Sequence, residues 1–80
     1  MKIPRDISGI EIIKALQIYG YQPTRQNGSH IRITTNLNGQ HHLAIPNHNP
    51  VKTGTLNSIL LQVAIHFKIS KDQVLQELFK

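Results

Sequence analysis

The pattern of apolar residues along this 80-residue chain predicts an α+β fold, a three-stranded antiparallel sheet with helices on one face. Three observations support this prediction. Apolar residues recur at helical spacing near both ends of the chain, and they alternate with polar residues at strand spacing in its middle. Asn-Gly pairs, which are typical of tight turns, separate the central segments. The predicted order is α-β-β-β-α with an extra short helix at the C-terminal end.

A chain of this length is expected to form a single domain, residues 1–80, with a small core. It contains no cysteine, so no disulfide can strengthen that core, and this composition suits a reducing compartment. No stretch approaches the roughly 18 apolar residues that a membrane span requires, and the polar start lacks the apolar core of a signal peptide. We therefore expect a soluble, cytoplasmic protein with no membrane association.

The first predicted helix runs from about residue 9 to residue 19. Ser8 and Glu11 have the spacing of a capping box, in which each side chain hydrogen bonds to the backbone N–H of the other residue. Gly20 is typical of the left-handed residue that ends a helix. Between these signals lies one apolar stripe at three- and four-residue spacing, formed by Ile12, Ile13, Leu16 and Tyr19.

Three short strands are predicted in the middle of the chain. The first, about residues 21–25, contains Pro23, which cannot donate a hydrogen bond to a neighbouring strand, so we place it at an edge of the sheet. A turn at residues 26–28 leads to the clearest strand, residues 29–35. A second turn leads to the third strand, residues 40–45. The three strands are expected to form an antiparallel meander.

Alternation along the second and third strands assigns the two faces of the sheet. The residues predicted to face the core are Ile31, Ile33, Leu43 and Ile45. The residues predicted to face away from it are His30, Arg32, Thr34, His42 and Ala44. An antiparallel sheet tolerates one solvated face. We therefore expect functional residues on this polar, potentially cationic face.

The C-terminal part of the chain is predicted to be helical after a loop. Residues 46–52 contain two prolines and no periodic pattern, which predicts the loop. Residues 53–55 offer caps for a second helix, whose apolar stripe ends near Lys68. A last short helix is predicted from Ser70, where Gln73 completes a capping box.

The charge of the chain favours a polyanionic partner. Nine Lys and Arg against four Asp and Glu give a formal net charge of +5, which speeds the encounter with a polyanion such as nucleic acid. The basic residues are spread along the chain rather than clustered in one run, which favours a folded basic surface over a disordered arm. A basic protein whose charge serves only its solubility fits the same composition.

His30 is the leading candidate for a catalytic residue. A ribonuclease that works without a metal needs a group that takes a proton from the ribose 2′-hydroxyl or gives one to the departing 5′-oxygen. Imidazole suits both tasks because its unperturbed pKa of about 6.5 leaves both protonation states populated near neutral pH. Positive charge beside the phosphate, here from Arg25 and Arg32, stabilises the transition state. The alternative is that His30 is only a polar residue on a solvated strand face.

The other histidines have weaker cases for a function. His41 and His42 are adjacent on a strand, so they point to opposite faces and make an improbable pair of metal ligands. His48 lies in the loop, where it either enters the site from its side or is simply a loop residue. His66 is expected to be a partly exposed, structural residue of the second helix. With no cysteine and only four carboxylates, we expect neither a zinc site nor a two-metal nuclease site, and no phosphate-binding glycine motif or other cofactor site is indicated.

Three stretches of the chain occur in the order and spacing of a known family. They are the opening helix at residues 8–16, residues 20–32 with Arg25 before Gly28-Ser29-His30, and residues 45–48 followed by residues 54–60. Together they resemble the HicA-type toxins, the mRNA interferases of type II toxin-antitoxin systems, over about residues 5–65. Asn27 departs from the resemblance, since these toxins often have a basic residue there. The tail from about residue 65 to residue 80 is longer than in the shortest members.

The resemblance implies a double-stranded-RNA-binding-domain-like fold, metal-independent cleavage of mRNA, and inhibition by a HicB-type antitoxin protein that covers the active face. Carried over by position, His30 is the catalytic residue, and Gly28 and Ser29 shape the turn that presents it. The basic residues near His30 and the polar residues of the loop after the third strand are expected to bind RNA as well. The expected RNA-binding residues are Arg25, Gly28, Ser29, Arg32, His48 and Lys52.

Two other functions fit the same sequence. A non-catalytic RNA-binding module of the same fold would explain the charge and the exposed sheet equally well. A protein-interaction domain that uses the second and third helices is the other alternative. Measurements of RNA cleavage and RNA binding separate the three.

Overall fold

The computed structural model describes residues 3–79 and has the α+β order predicted from the sequence. One helix precedes three strands and two helices follow them, the order of a double-stranded-RNA-binding-domain-like fold with a C-terminal helix added. None of the helices in this range is both long enough and apolar enough to cross a bilayer. The elements are α1 (Gly9–Leu16), a 3₁₀ turn (Gln17–Tyr19), β1 (Gln22–Asn27), β2 (His30–Thr35), β3 (His41–Pro46), α2 (Thr53–Phe67) and α3 (Lys71–Leu78).

The strands form one antiparallel sheet in the order β1-β2-β3. β1 occupies the edge position predicted for it, where the missing N–H of Pro23 breaks no central ladder. Every residue of β1 is exposed, whereas buried positions recur at every second residue of β2 and along β3. β2 therefore lies between a fully exposed edge strand, β1, and a strand that contributes to the core, β3.

α1 begins with the predicted capping box. Ser8 Oγ accepts a hydrogen bond from the Glu11 N–H, and the Glu11 carboxylate accepts one from the Ser8 N–H, each 3.1 Å long. The α-helix ends at Leu16 rather than at Tyr19, and the 3₁₀ turn carries the chain on to Gly20. Such a tightened last turn is common because its hydrogen bonds satisfy carbonyl groups left free at a helix end. Gly20 has a φ of 84° and stops the helical backbone as expected.

The hairpin between β1 and β2 turns at Gly28 and Ser29 rather than at residues 26–28. β1 extends to Asn27, which is paired with His30, so only two residues connect the strands. Gly28 has a positive φ of 62°, and Ser29 does not have one. Positive φ at the first turn residue alone is the pattern of a type II′ turn, which requires glycine in that first place. The Asn-Gly pattern therefore indicated the right hairpin but placed its turn one residue too early.

The two C-terminal helices begin in different ways. Residues 53–55 lie inside the first turn of α2 instead of capping it, and Lys52 occupies the cap position without a side-chain hydrogen bond, so the predicted α2 cap was wrong. At α3 the N-cap is confirmed, because Ser70 Oγ accepts a hydrogen bond from the Gln73 N–H over 3.0 Å. The Gln73 side chain donates to the Glu77 carboxylate instead of completing the predicted capping box.

The core lies between the inner face of the sheet and the helices. The inward-facing strand residues predicted from alternation are all buried: Ile31, Ile33, Leu43 and Ile45. They belong to one cluster with apolar residues of α1 and α2, among them Ile12, Leu16, Leu56, Ile59, Leu60 and Val63. The helices therefore cover one face of the sheet and leave the other face open.

α3 extends this core rather than lying apart from it. Val74 and Leu75 are buried in the same cluster. The Tyr19 hydroxyl donates a hydrogen bond to the Glu77 carboxylate, which ties α3 to the 3₁₀ turn. Burial, together with this carboxylate, raises the pKa of Tyr19. The C-terminal tail noted in the sequence thus contributes to the packing.

The start of α1 lies in close contact with the loop that joins β3 to α2. The Gly9 N–H donates a hydrogen bond to the His48 carbonyl over 2.9 Å, and the Val51 N–H donates one to the Ile7 carbonyl over 2.8 Å. A Cβ atom at Gly9 would lie 2.1 Å from the Pro46 carbonyl oxygen, which is a backbone atom that cannot turn aside. Only glycine allows the Pro46 carbonyl to come this close, so the loop can pack against the start of α1 because residue 9 is glycine.

We expect Gly9→Ala to destabilise the protein by about 2 kcal/mol or more, because overpacking against backbone atoms forces the main chain to move. Gly54→Ala is the matched control, since a Cβ atom at that helical position meets nothing within 4 Å. Alanine also favours a helix over glycine, so the control should be neutral or stabilising by up to about 1 kcal/mol. Urea denaturation measures both changes. If Gly9→Ala were as stable as wild type, the contact between Gly9 and the Pro46 carbonyl would not be tight.

Candidate functional site

The open face of the sheet carries the polar side chains that alternation assigned to it. His30, Arg32 and His42 are exposed and Thr34 is partly exposed, while Ile31 and its inward-facing neighbours are buried. The helices cover only the opposite face. We call the open surface the outer face.

Two guanidinium groups belong to directly opposed residues of the outer face. Arg25 of β1 is the partner of Arg32 of β2 in the antiparallel register. Like charges at opposed positions repel each other and weaken a sheet. The sequence has no acidic residue between positions 12 and 71, so no carboxylate of the sheet or of α2 compensates them. An anion bound at the pair would relieve this repulsion, which makes the pair a candidate anion site.

His30 lines a shallow depression of about 430 Å³ on the outer face, which we call the arginine depression. Arg25, Arg32 and His42 also line it, and so does Asn27. The imidazole of His30 and both guanidinium groups thus border one space that is open to solvent. A group that moves protons beside a bound phosphate requires this arrangement.

A second depression, of about 350 Å³, adjoins the first at His30 and Ala44. We call it the loop depression, because His48 and Lys52 from the loop between β3 and α2 line it. Thr55 of α2 completes this side. His30 therefore lies between two guanidinium groups in one depression and an imidazole and an ammonium group in the other.

Backbone contacts hold the loop beside the hairpin turn. The Asn47 N–H donates a hydrogen bond to the Ser29 carbonyl over 2.6 Å, and Gly9 binds the carbonyl of His48. Sequence reasoning singled out neither Asn47 nor Gly9 for the site, because both act through main-chain atoms that no side-chain pattern reveals. The turn at Gly28 and Ser29 and the loop are thereby fixed relative to each other.

The structure brings most of the predicted site residues together. Gly28 and Ser29 form the turn directly before His30. Within residues 3–79, no group of three or more His, Cys, Asp or Glu side chains is arranged to hold a metal ion. The predicted residues that share a depression with His30 are Arg25, Arg32, His48 and Lys52.

Thr24 is an outer-face residue that sequence reasoning missed. The register between β1 and β2 shifts between Pro23 and Arg25, so Thr24 is the extra residue of a β-bulge. Because of the bulge, Thr24 and Arg25 both line a third depression on the outer face, although they are neighbours in sequence. Strict alternation would have placed them on opposite faces. No residue pattern in β1 marks the bulge beyond the presence of Pro23.

Two histidines lie away from the outer face, where the sheet meets the end of α2. The rings of His41 and His66 are stacked, with centroids 4.4 Å apart and planes 10° apart. His41 Nδ1 forms a 2.7 Å hydrogen bond with the Tyr21 hydroxyl, and His66 Nε2 donates to the Leu37 carbonyl over 2.9 Å. Desolvation, and then the neighbouring His66 and His42, lower the pKa of His41. These contacts fasten the turn between β2 and β3 to α2.

Fold and site together define a small basic α+β protein whose solvent-exposed sheet face carries two guanidinium groups and the imidazoles of His30 and His42. Comparison with protein-family models matches residues 9–65, from α1 through most of α2, to the HicA toxins of bacterial toxin-antitoxin systems. The chain belongs to this family and is a toxin of a toxin-antitoxin system, a class in which each toxin has an antitoxin partner. No curated protein and no solved structure matches the chain.

Acid should weaken the fold through His41. The pKa of His41 is lower in the folded protein than its ordinary value of 6.5, so the unfolded chain takes up the proton more readily. The stability that depends on neutral His41 is therefore lost as the pH falls below about 6.5. We expect His41→Gln to lose less unfolding free energy than wild type when the pH is lowered from about 7 to about 5.

Urea denaturation at several pH values measures this difference. His48→Gln is the control, because it removes an imidazole from the exposed loop, and it should lose as much stability in acid as wild type. A His41→Gln protein with the pH dependence of wild type would contradict the assignment.

Proposed function

We propose that this toxin is an endoribonuclease, an mRNA interferase that cleaves RNA by metal-independent acid/base catalysis on its outer face. One observation carries the proposal: His30 is exposed and lines both the arginine depression and the loop depression. Membership of a toxin family is consistent with an activity that damages the cell. Action on mRNA would take place in the cytoplasm.

In the proposed reaction two protons are transferred, and the bond from phosphorus to the 5′-oxygen is replaced by a bond to the 2′-oxygen. RNA lies across the outer face with a phosphate near Arg25 and Arg32. His30 accepts the proton of the ribose 2′-hydroxyl, and the freed oxygen attacks the adjacent phosphorus. The bond from phosphorus to the 5′-oxygen of the next nucleotide breaks, which leaves a 2′,3′-cyclic phosphate. His48, across the loop depression, donates a proton to the departing oxygen, which leaves as a 5′-hydroxyl.

The basic residues would stabilise the transition state of this reaction, in which negative charge grows on the phosphate oxygens. Arg25 and Arg32 contribute from one depression and Lys52 from the other. Guanidinium groups suit phosphate because they can donate two parallel hydrogen bonds to it. The carboxylate-free stretch of the chain adds no repulsion against RNA. Gly28 and Ser29 contribute by shaping the turn that presents His30.

A HicB-type antitoxin is the partner that we propose for neutralisation. Covering the outer face would exclude RNA from His30. Because the sheet and α2 lack carboxylates, a partner with acidic side chains can compensate the guanidinium pair and would compete directly with phosphate. Charge complementarity of this kind also speeds association.

His30→Ala should slow RNA cleavage by about 10²- to 10⁴-fold, the usual contribution of a general acid or base. The fold should be retained, because the His30 side chain is exposed. Purified protein is incubated with unstructured RNA in the presence of EDTA, and the products are separated on gels. Growth arrest on expression should disappear with cleavage. Lys14→Ala, which removes an exposed lysine from α1, is the control and should cleave like wild type.

Three outcomes of this assay would count against the proposal. Undiminished cleavage by a folded His30→Ala protein would reject the assignment of His30. Binding of RNA without cleavage by wild type would favour a non-catalytic RNA-binding module. Tight binding of a protein partner with no RNA affinity at low salt would favour an interaction domain.

His48→Ala should slow the cleavage of ordinary RNA by about 10²-fold or more. Sulfur in place of the bridging 5′-oxygen removes the need for a general acid, because a thiolate leaves without being protonated. His48→Ala should therefore cleave the sulfur substrate at close to the wild-type rate. His30→Ala should remain slow on it, since the 2′-hydroxyl still needs a base. Failure of sulfur to rescue His48→Ala would assign the acid role to water or to His30 itself.

A further inference from the structure

The outer face continues beyond the arginine depression, away from the loop. A third depression, of about 220 Å³, is lined by Thr24, Thr34 and Gln40 in addition to residues of the arginine depression. We call it the threonine depression. The two depressions share Arg25, Arg32 and His42. A chain that occupies the arginine depression can therefore continue directly into the threonine depression.

Three hydrogen bonds in a row run along this part of the sheet. Thr24 Oγ1 lies 3.3 Å from the Arg32 carbonyl oxygen and 3.0 Å from Thr34 Oγ1. Thr34 Oγ1 lies 2.8 Å from His42 Nδ1. A carbonyl only accepts, so Thr24 donates to it. Each hydroxyl has one proton to donate, so Thr34 donates to Thr24, and His42 Nδ1–H donates to Thr34. All three bonds form together only in this direction.

In the neutral imidazole, the direction of these three hydrogen bonds determines what His42 offers to a ligand. A neutral imidazole with its proton on Nδ1 has a free lone pair on Nε2, which is an acceptor. His42 is exposed and lines the depression. A phosphate group consists of acceptors and cannot bond to this nitrogen. The edge of a nucleobase has N–H groups that can.

The other residues of the threonine depression fit recognition of a base by its edge. The Gln40 amide provides both a donor and an acceptor, as the edge of a base does. Stacking of the base on tyrosine or phenylalanine is not supported, because these side chains are buried or packed against the core; they are Tyr19, Tyr21, Phe67 and Phe79. Recognition of unpaired bases by hydrogen bonds along their edges is common in RNA-binding proteins.

The spacing along the strands separates this depression from the catalytic candidate. His42 is paired with Thr34, which lies four positions along β2 from His30. At about 3.3 Å per residue the two histidines are attached about 13 Å apart on the sheet. The base in the threonine depression therefore belongs to a different nucleotide from the ribose that His30 would address.

We propose that Thr24, Thr34, Gln40 and His42 form a nucleobase subsite that selects RNA by hydrogen bonds to the edge of one unpaired base, with His42 Nε2 accepting from a base N–H. The proposal rests on the proposed function and adds a determinant of sequence preference to it. Thr24 and Thr34 are positioning residues, because they hold the tautomer of His42.

The tautomer is tested first, by ¹⁵N NMR of the histidine side chains in the free protein. His42 should have its proton on Nδ1. Thr34→Val, which keeps the shape of the side chain but removes the hydroxyl, should lower the population of that tautomer. A wild-type His42 with its proton mainly on Nε2 would overturn the proposal, since the ring would then donate rather than accept.

Base preference is tested by binding, in the His30→Ala background so that RNA is not consumed. Fluorescence anisotropy gives the Kd of four short single-stranded homopolymers. We expect the Kd to differ between bases by about fivefold or more, as one good base contact provides. Adding Thr34→Val or His42→Ala should reduce the difference to about twofold or less, while Lys14→Gln in the same background should preserve it.

Each remaining outcome has one interpretation. Equal affinity for all four bases, or a difference that survives both variants, would overturn the subsite. The binding measurement does not depend on cleavage. If wild type fails to cut RNA but the base preference is found, the nuclease proposal is rejected and the subsite is retained.

Discussion

Helices cover only one face of a sheet whose central strand alternates between buried residues and exposed or partly exposed ones, and the site depends on this asymmetry. Ile31 and Ile33 must point at the helices because a small core needs them. His30 and Arg32, displaced by one residue, must then point at solvent. A shift of the β2 register by one residue would exchange the two sets and remove both the core and the site. Folding and function therefore depend on the same pairing.

The loop between β3 and α2 is coupled to the fold through contacts that are distant in sequence. Gly9 admits the Pro46 carbonyl, and Asn47 binds the Ser29 carbonyl, so α1, the loop and the hairpin turn meet beside His30. Loops supply functional side chains when a rigid scaffold positions them. Here the scaffold includes the first turn of α1, which carries no site residue itself.

The sequence was sufficient for the parts of the structure that follow a period. Helical stripes and strand alternation predicted the order of elements and the face on which His30, Arg32 and His42 lie. Other features depend on contacts between segments that no local pattern contains. The bulge at Thr24 depends on how β1 pairs with β2, and the stack of His41 on the second-helix histidine depends on where the sheet meets α2. Turn and cap positions were displaced by one to a few residues for the same reason, since they are decided by pairing and packing.

A cationic site of this kind weakens the fold little, which is why so small a protein can support it. The charged groups of the outer face are exposed, so water solvates them and screens their repulsion. Opposed like charges on a sheet cost about 0.2–1 kcal/mol per pair, less than one buried aliphatic side chain contributes. Burying Arg25 and Arg32 would instead require carboxylate partners, and those partners would compete with a bound anion. An open sheet face therefore serves an anion site better than a closed cleft in a chain of this size.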